Sequence, residues 1–219
     1  MSAHFISYPK SGRSWVRYAL DQLGAAQDIT FQHDGFEFNN GARPPLSFNV
    51  ARRIERYREV DHVVYLERDP RDVMCSLFHQ VTGRFQDFFG YRGSISDFLR
   101  DPYFGAENLK RFRAMWAEVA TRRSVHRLSY EQMTRDSAGT LRGLADYLGL
   151  VVDDAMLERA VDAASFANMQ AVEREGSYQQ PWLRLRNGHP KVRQGRVHGY
   201  KAELDAGDIA YLNALFELD

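Results

Sequence analysis

A single α/β domain built on a parallel sheet is the fold class the sequence predicts, on three observations. His62-Val63-Val64-Tyr65-Leu66-Glu67 is a nearly continuous apolar run, the pattern of a strand buried on both faces. A shorter run, His4 to Ser7, passes through a Gly-containing turn into an amphipathic segment. Strand-like and helix-like periodicities then alternate, which puts helices on both faces of a central sheet. The length of 219 residues suits one domain over residues 1–219.

The elements follow in order. After the first strand, Ser14 to about Leu23 has Trp15, Tyr18, Ala19, Gln22 and Leu23 on one helical face, with Gly24 as a stop. Asp28 to Gln32 is a candidate second strand ending at His33-Asp34-Gly35, and residues 36–48 form a loop rich in Asn, Gly and Pro. Val50 to about Arg58 is a basic amphipathic helix, expected to present a solvated face. The strand at 62–67 is broken by Arg68-Asp69-Pro70, and a helix follows with Pro70 in its first turn. Gly83 to Gly93 holds Phe85, Phe88, Phe89 and Tyr91, either as an active-site wall or as a core-packing loop. A long helix from Ala106 to about Thr121, a strand at Ser124 to Leu128, and helices at about Thr140 to Leu148, Asp153 to Ala163 and Asp205 to Phe216 complete the pattern. Residues 174–200 are polar and irregular.

Composition narrows the function classes. Hydrophobic content of 44% and charged content of 26% are those of a soluble globular protein, and the net charge of zero argues against a general nucleic-acid binder. Cys75 is the sole cysteine, so no intrachain disulfide forms, as in a reducing compartment. No run reaches membrane-spanning length and the N-terminus lacks a signal-peptide pattern, so the expectation is a cytoplasmic protein without a membrane partner.

Phe5 to Trp15 is the most informative stretch. A strand, a turn with Gly12 and a helix N-terminus make an anion site, because the first helical N–H groups lack carbonyl partners and sit at the positive end of the helix dipole. Lys10 adds a full charge, and Ser11, Arg13 and Ser14 add donors. An ordinary βα turn with a surface lysine is the alternative that the loop alone leaves open. The Walker A pattern is ruled out, since it needs Lys after the second of two glycines, and here Lys10 precedes the only one.

The second cluster is Arg68-Asp69-Pro70-Arg71-Asp72-Val73 with Ser76. An arginine leaving a buried strand and a helix serine two turns later can grip a second phosphate, although the four charged residues also suit a solvated salt-bridge group. Tyr8-Pro9-Lys10-Ser11-Gly12-Arg13-Ser14-Trp15 resembles the 5′-phosphosulfate loop of the sulfotransferases that use 3′-phosphoadenosine 5′-phosphosulfate (PAPS). Arg68-x-Pro70-x-Asp72-Val73-x-x-Ser76 resembles their 3′-phosphate site. Arg193-Gln194-Gly195-x-x-His198-x-Tyr200-Lys201 resembles their late Arg-Lys-Gly-x-x-Gly-x-Trp-Lys segment, with Gln194, His198 and Tyr200 departing from it. Tyr130-Glu131-Gln132-Met133 and Ser165-Phe166-x-x-Met169 are similar to two further elements of the family, and together the motifs span residues 5 to about 212.

The resemblance implies a three-layer, P-loop-like fold that transfers a sulfuryl group from PAPS to a hydroxyl or amine and needs no metal. It implies Lys10, Ser11, Gly12, Arg13 and Ser14 at the 5′ end, Arg68, Ser76, Arg193, Gln194 and Gly195 at the 3′-phosphate, and Trp15, Tyr130 and Phe166 around the adenine. A general base for the acceptor contributes roughly 10²–10⁴-fold. His33 is the candidate, with Asp34 and Glu37 as fallbacks and His79 a weaker one. The family often has Lys-x-His here, and Phe31 takes the lysine's place. The acceptor is a small molecule or glycan, with residues 34–49 and 83–104 around it, and the oligomeric state is open. A P-loop-like small-molecule kinase and a non-catalytic adenosine-bisphosphate-binding protein are the rival readings.

Overall fold

The computed structural model describes residues 2–218. Four strands, β1 (Ala3–Ser7), β2 (Ile29–Gln32), β3 (His62–Glu67) and β4 (His126–Ser129), form one parallel sheet in the order β2-β1-β3-β4. The two apolar runs that pointed to a sheet are its central strands. Phe5 lies between Phe31 and Val64, and Leu66 between Ser7 and Leu128.

Alternation along the strands divides the core in two. Ile6, Val63 and Tyr65 face one layer, with Val73, Phe112, Trp116 and Leu212 from α3 (Pro70–His79), α6 (Ala106–Arg122) and α11 (Ala206–Phe216). Phe5, Val64 and Leu66 face the other, with Val16, Leu144 and Leu157 from α1 (Arg13–Gln22), α8 (Ser137–Tyr147) and α9 (Asp154–Ala163). Tyr65 stacks on Trp116 at 5.7 Å between ring centroids, so the first layer is locked by aromatic area.

Several elements differ from the sequence expectation. Asp28 belongs to a 3₁₀ turn, so β2 starts at Ile29. The aromatic stretch after α3 is not a plain loop: a π-helical segment, Gln80–Arg84, runs into α4 (Gln86–Phe89), and α5 (Ile95–Leu99) follows. The strand expected from Ser124 lies at His126–Ser129 and leads directly into α7 (Tyr130–Arg135). A capping box explains that helix: Ser129 Oγ accepts the Gln132 N–H at 3.1 Å, and Gln132 Oε1 accepts the Ser129 N–H at 3.1 Å. α10 (Phe166–Glu175) starts after the Ser165 N-cap and takes in the first residues of the segment expected to be irregular.

The basic helix α2 (Val50–Arg56) does not simply present a solvated face. Arg53 is buried and pairs with Asp34 at 2.9 Å, and Arg56 reaches the same carboxylate at 3.1 Å. Their target sits in the turn after β2, where Asp34 and Gly35 both have positive φ.

Candidate functional site

The carboxyl ends of β1, β2, β3 and β4 open on one cavity of about 530 Å³. That is where an open parallel sheet binds ligands. Lys10, Gly12, Arg13, Ser14, Trp15, His33, Arg68, Ser76, Tyr130, Phe166, Arg193, Gln194 and Gly195 all line it. Ser11 does not: it is buried behind the loop, its N–H turned back to the Tyr8 carbonyl at 3.4 Å.

The first loop is shaped by backbone conformation. Lys10 takes φ of +73° and Gly12 φ of +105°, which turn the chain sharply into α1. A Cβ at Gly12 would sit 2.6 Å from the Tyr130 ring, so only glycine passes this close to the aromatic. Trp15 N–H bonds the Gly12 carbonyl, while the N–H groups of Arg13 and Ser14, in the first helical positions, have no carbonyl within α1. Unpaired N–H groups at a helix N-terminus favour an anion there.

Arg68 joins the early loop to the late segment. Its guanidinium lies 4.1 Å from the Tyr130 ring centroid and donates to the carbonyls of Lys10 at 3.4 Å and Arg196 at 3.2 Å. Asp72 completes the link: it pairs with Arg68 at 3.4 Å and accepts the N–H groups of His198 and Tyr200, both at 2.9 Å. The Arg-Asp cluster is therefore a buried bracket and not a solvated group. Arg193 and Gln194 are both held by Glu203, at 2.7 Å and 3.0 Å, and His79 bonds the same carboxylate at 2.5 Å. His79 is thus placed on Glu203, outside the cavity lining. Gly195 passes against the Phe166 ring, where no side chain would fit. Trp15 and Tyr130 meet edge-to-face at 5.4 Å, and both line the cavity, with Arg68 over the Tyr130 ring.

His33 follows β2 and lines the same cavity. Its Nδ1 lies 2.8 Å from the Ser7 carbonyl, which can only accept, so Nδ1 carries the proton and Nε2 is the basic nitrogen. Burial and the charge of Arg13, with Lys191 and Lys10 beyond, hold its pKa well below the usual histidine value, against the opposing pull of the Ser7 bond. The ring is therefore neutral at physiological pH. The fallback carboxylates are occupied elsewhere. Asp34 is buried among Arg53, Arg56 and the Tyr57 hydroxyl, and Glu37 accepts the His33 N–H at 2.6 Å.

Lys10 feels the accumulated cations. Burial, then Arg84, Arg68 and Arg193, pull its amine down to about 7, with Glu173 opposing. Burial likewise lowers Arg13, to about 10.

Sequence reasoning missed Asp72's role as bracket, and also Arg84, Glu173, Trp182 and Lys191. Arg84 leaves the π-helical segment to meet Glu173 at 3.4 Å and the carbonyls of Arg184 and His189. Glu173 also accepts the N–H groups of Lys191 at 2.6 Å and Val192 at 2.9 Å. No motif marks these residues, because each acts on a segment that has no regular structure. The π-helical turn was the one available signal, since such turns gather at functional sites.

The sulfotransferase domain family matches residues 4–218. Rabbit (Oryctolagus cuniculus) sulfotransferase 1C2 is 24% identical over 197 residues, covering 75% of this chain and 64% of its own length. Mouse (Mus musculus) sulfotransferase 2B1 is 25% identical over 190 residues, covering 76% and 55%. The chain thus spans less than two thirds of the length of these relatives. Among solved structures, mouse sulfotransferase SULT7A1 complexed with PAP has a TM-score of 0.73 at 17% identity, covering 98% of this chain and 82% of that one. Retinol dehydratase in complex with androsterone and the inactive cofactor PAP has a TM-score of 0.63 at 17% identity, covering 99% and 79%.

Proposed function

Because the chain belongs to the sulfotransferase domain family, we propose that it transfers a sulfuryl group from PAPS to an acceptor hydroxyl or amine. One observation carries this reading. A cationic cradle at Lys10 and a neutral imidazole with a bare Nε2 line the same cavity. That is the equipment needed to neutralise a leaving phosphate and to take the proton of an attacking hydroxyl.

The residues fit adenosine 3′,5′-bisphosphate. Lys10 and the first N–H groups of α1 hold the 5′ end, and Arg68, Ser76 and Arg193 hold the 3′-phosphate. Trp15, Tyr130 and Phe166 supply flat faces for the purine. PAPS, when bound, supplies the sulfuryl group. The protein's part is positioning and charge. His33 Nε2 takes the acceptor proton as oxygen bonds to sulfur, while Lys10 stabilises the 5′-phosphate that departs with the electron pair of the broken S–O bond.

The acceptor is proposed to be a small molecule. Phe38, Phe85, Trp182 and Leu185 give the cavity aromatic and apolar walls, and Asn39 and Gln80 add polar groups. Arg84, Arg184 and Arg186 line it beside them, and apolar walls with placed polar groups are the usual make-up of a small-molecule pocket. Incubation with radiolabelled PAPS and a panel of alcohols, phenols and sugars tests the reading. Labelled product is expected with at least one class. Failure across the panel together with preferential binding of Mg-ATP over the bisphosphate would contradict it.

A further inference from the structure

Lys191 is a second lysine at the same site, brought there by a segment of irregular structure. Its backbone N–H is fixed by Glu173 at 2.6 Å, and its Nζ donates to the Trp182 carbonyl at 2.9 Å, 5.4 Å from the Trp182 ring centroid. An ammonium has three donors, so this one bond leaves two to offer. Lys191 lines the cavity together with Lys10, Arg13 and His33. Among the described residues, four acids of this region pair with other cations: Glu173 with Arg84, Asp72 with Arg68, Glu203 with Arg193 and Asp87 with Arg186, while Glu37 accepts the His33 N–H and its charge acts on Arg13. None forms an ion pair with Lys10, Arg13 or Lys191. Burial, then Lys10, Arg13 and Arg84, lower the Lys191 amine well below its usual range, with Glu173 opposing, and Lys191 in turn depresses His33. The charges at the base, at the cradle and on this segment therefore act on one volume.

The sheet itself supplies no cation beside the base. Phe31, two residues before His33 on β2, packs on Phe5 at 5.3 Å between ring centroids and beneath the Arg17 guanidinium at 5.2 Å. Arg17 is thereby tied to an aromatic surface that also includes Trp182.

We propose that Lys191 is a catalytic residue whose ammonium binds the oxygens of the sulfuryl group as it passes between the 5′-phosphate at Lys10 and the acceptor at His33. This rests on the sulfuryl-transfer reading above. During transfer the sulfur is loosely bonded to both the entering and the leaving oxygen, and negative charge is spread over its three other oxygens, as in phosphoryl transfer. The acceptor O–S bond forms, the S–O bond to the 5′-phosphate breaks with its electron pair going to the phosphate, and the acceptor proton goes to His33 Nε2. Once the anionic donor is bound and favours its protonated form, this desolvated amine, fixed in place by Glu173 and Trp182 with spare donors, stabilises that charge with little reorganisation.

The test compares binding of PAPS and of adenosine 3′,5′-bisphosphate, without acceptor, in wild-type protein, Lys191→Met and Lys191→Arg, alongside steady-state kinetics. Lys191→Met is expected to bind the bisphosphate nearly as wild type does, to lose the extra affinity for the sulfated donor, and to lose about 10²–10³-fold in kcat. Lys191→Arg, which keeps the charge, is expected to keep a preference for PAPS over the bisphosphate. Equal weakening of both nucleotides in Lys191→Met would overturn the proposal and make Lys191 a support of the donor site. Unchanged donor binding and kcat with a raised KM for the acceptor would overturn it in favour of acceptor anchoring. Wild-type protein that binds neither nucleotide would instead remove the sulfuryl-transfer reading, and this proposal with it.

Discussion

The Ser7 carbonyl lies 2.8 Å from His33 Nδ1, and this one bond between the ends of neighbouring strands decides which imidazole nitrogen is basic. The donor must be Nδ1–H, so the lone pair stays on Nε2. β1 thus sets the His33 tautomer through its backbone, as well as leading into the loop at Lys10.

His33→Ala is expected to lower kcat by about 10²–10⁴-fold while leaving bisphosphate affinity close to wild type. Because burial and neighbouring cations depress the His33 pKa, the ring stays unprotonated through neutral pH. The acid limb of kcat/KM should therefore fall below the ordinary histidine range. A limb at or above pH 6.5, or turnover surviving in His33→Ala, would move the base elsewhere.

Lys10 gives a pH dependence of opposite origin. In the free site its pKa is about 7, so it loses its charge as pH rises past neutrality. A bound phosphate favours the ammonium and returns the pKa toward the usual lysine value. Binding should then take up a proton above pH 7, and bisphosphate affinity should weaken with rising pH, by at most about tenfold per unit from this group. Calorimetry at pH 8 in buffers of different ionisation enthalpy reads the uptake directly. It should disappear in Lys10→Ala, which should also be inactive.

Arg68→Ala should reduce discrimination between adenosine 3′,5′-bisphosphate and adenosine 5′-monophosphate by roughly 10- to 100-fold, the range expected for charge-assisted bonds. A uniform loss for both ligands would instead assign Arg68 only to holding Tyr130 and the Arg196 carbonyl in place.

Asp34→Ala separates the rival base from a structural acid. Removing a buried carboxylate that holds Arg53, Arg56 and Tyr57 should cost about 3–5 kcal/mol of stability. Thermal melting should show a clear drop in Tm. A variant with native melting but lost turnover would restore Asp34 as a catalytic candidate.

Much of this was legible in the chain. Strand β3 announced itself as an apolar run, and the loop from Tyr8 to Trp15 carried a motif whose residue types and order are constrained by anion binding. His33 was legible as a histidine at a strand end. Its tautomer was not, because the deciding partner, the Ser7 carbonyl, lies on another strand. Asp72 was hidden inside a motif for a different reason: its partners, the N–H groups of His198 and Tyr200, lie far along the chain and have no sequence signature. Lys191 was invisible because Glu173, Arg84 and Trp182, which place it, come from a helix that the sequence reading did not assign, a π-helical turn and an irregular segment. Periodicity reports faces of regular elements and is silent on a strap held by side-chain bonds to backbone.

The most direct measurement of the central claim is transfer of labelled sulfate from PAPS by wild-type protein and by Lys10→Ala, with adenosine bisphosphate release followed in parallel. Labelled acceptor and bisphosphate should appear in equal amounts with wild type and in neither channel with Lys10→Ala. Equal activity of the two proteins, or bisphosphate release without any labelled acceptor, would contradict the account.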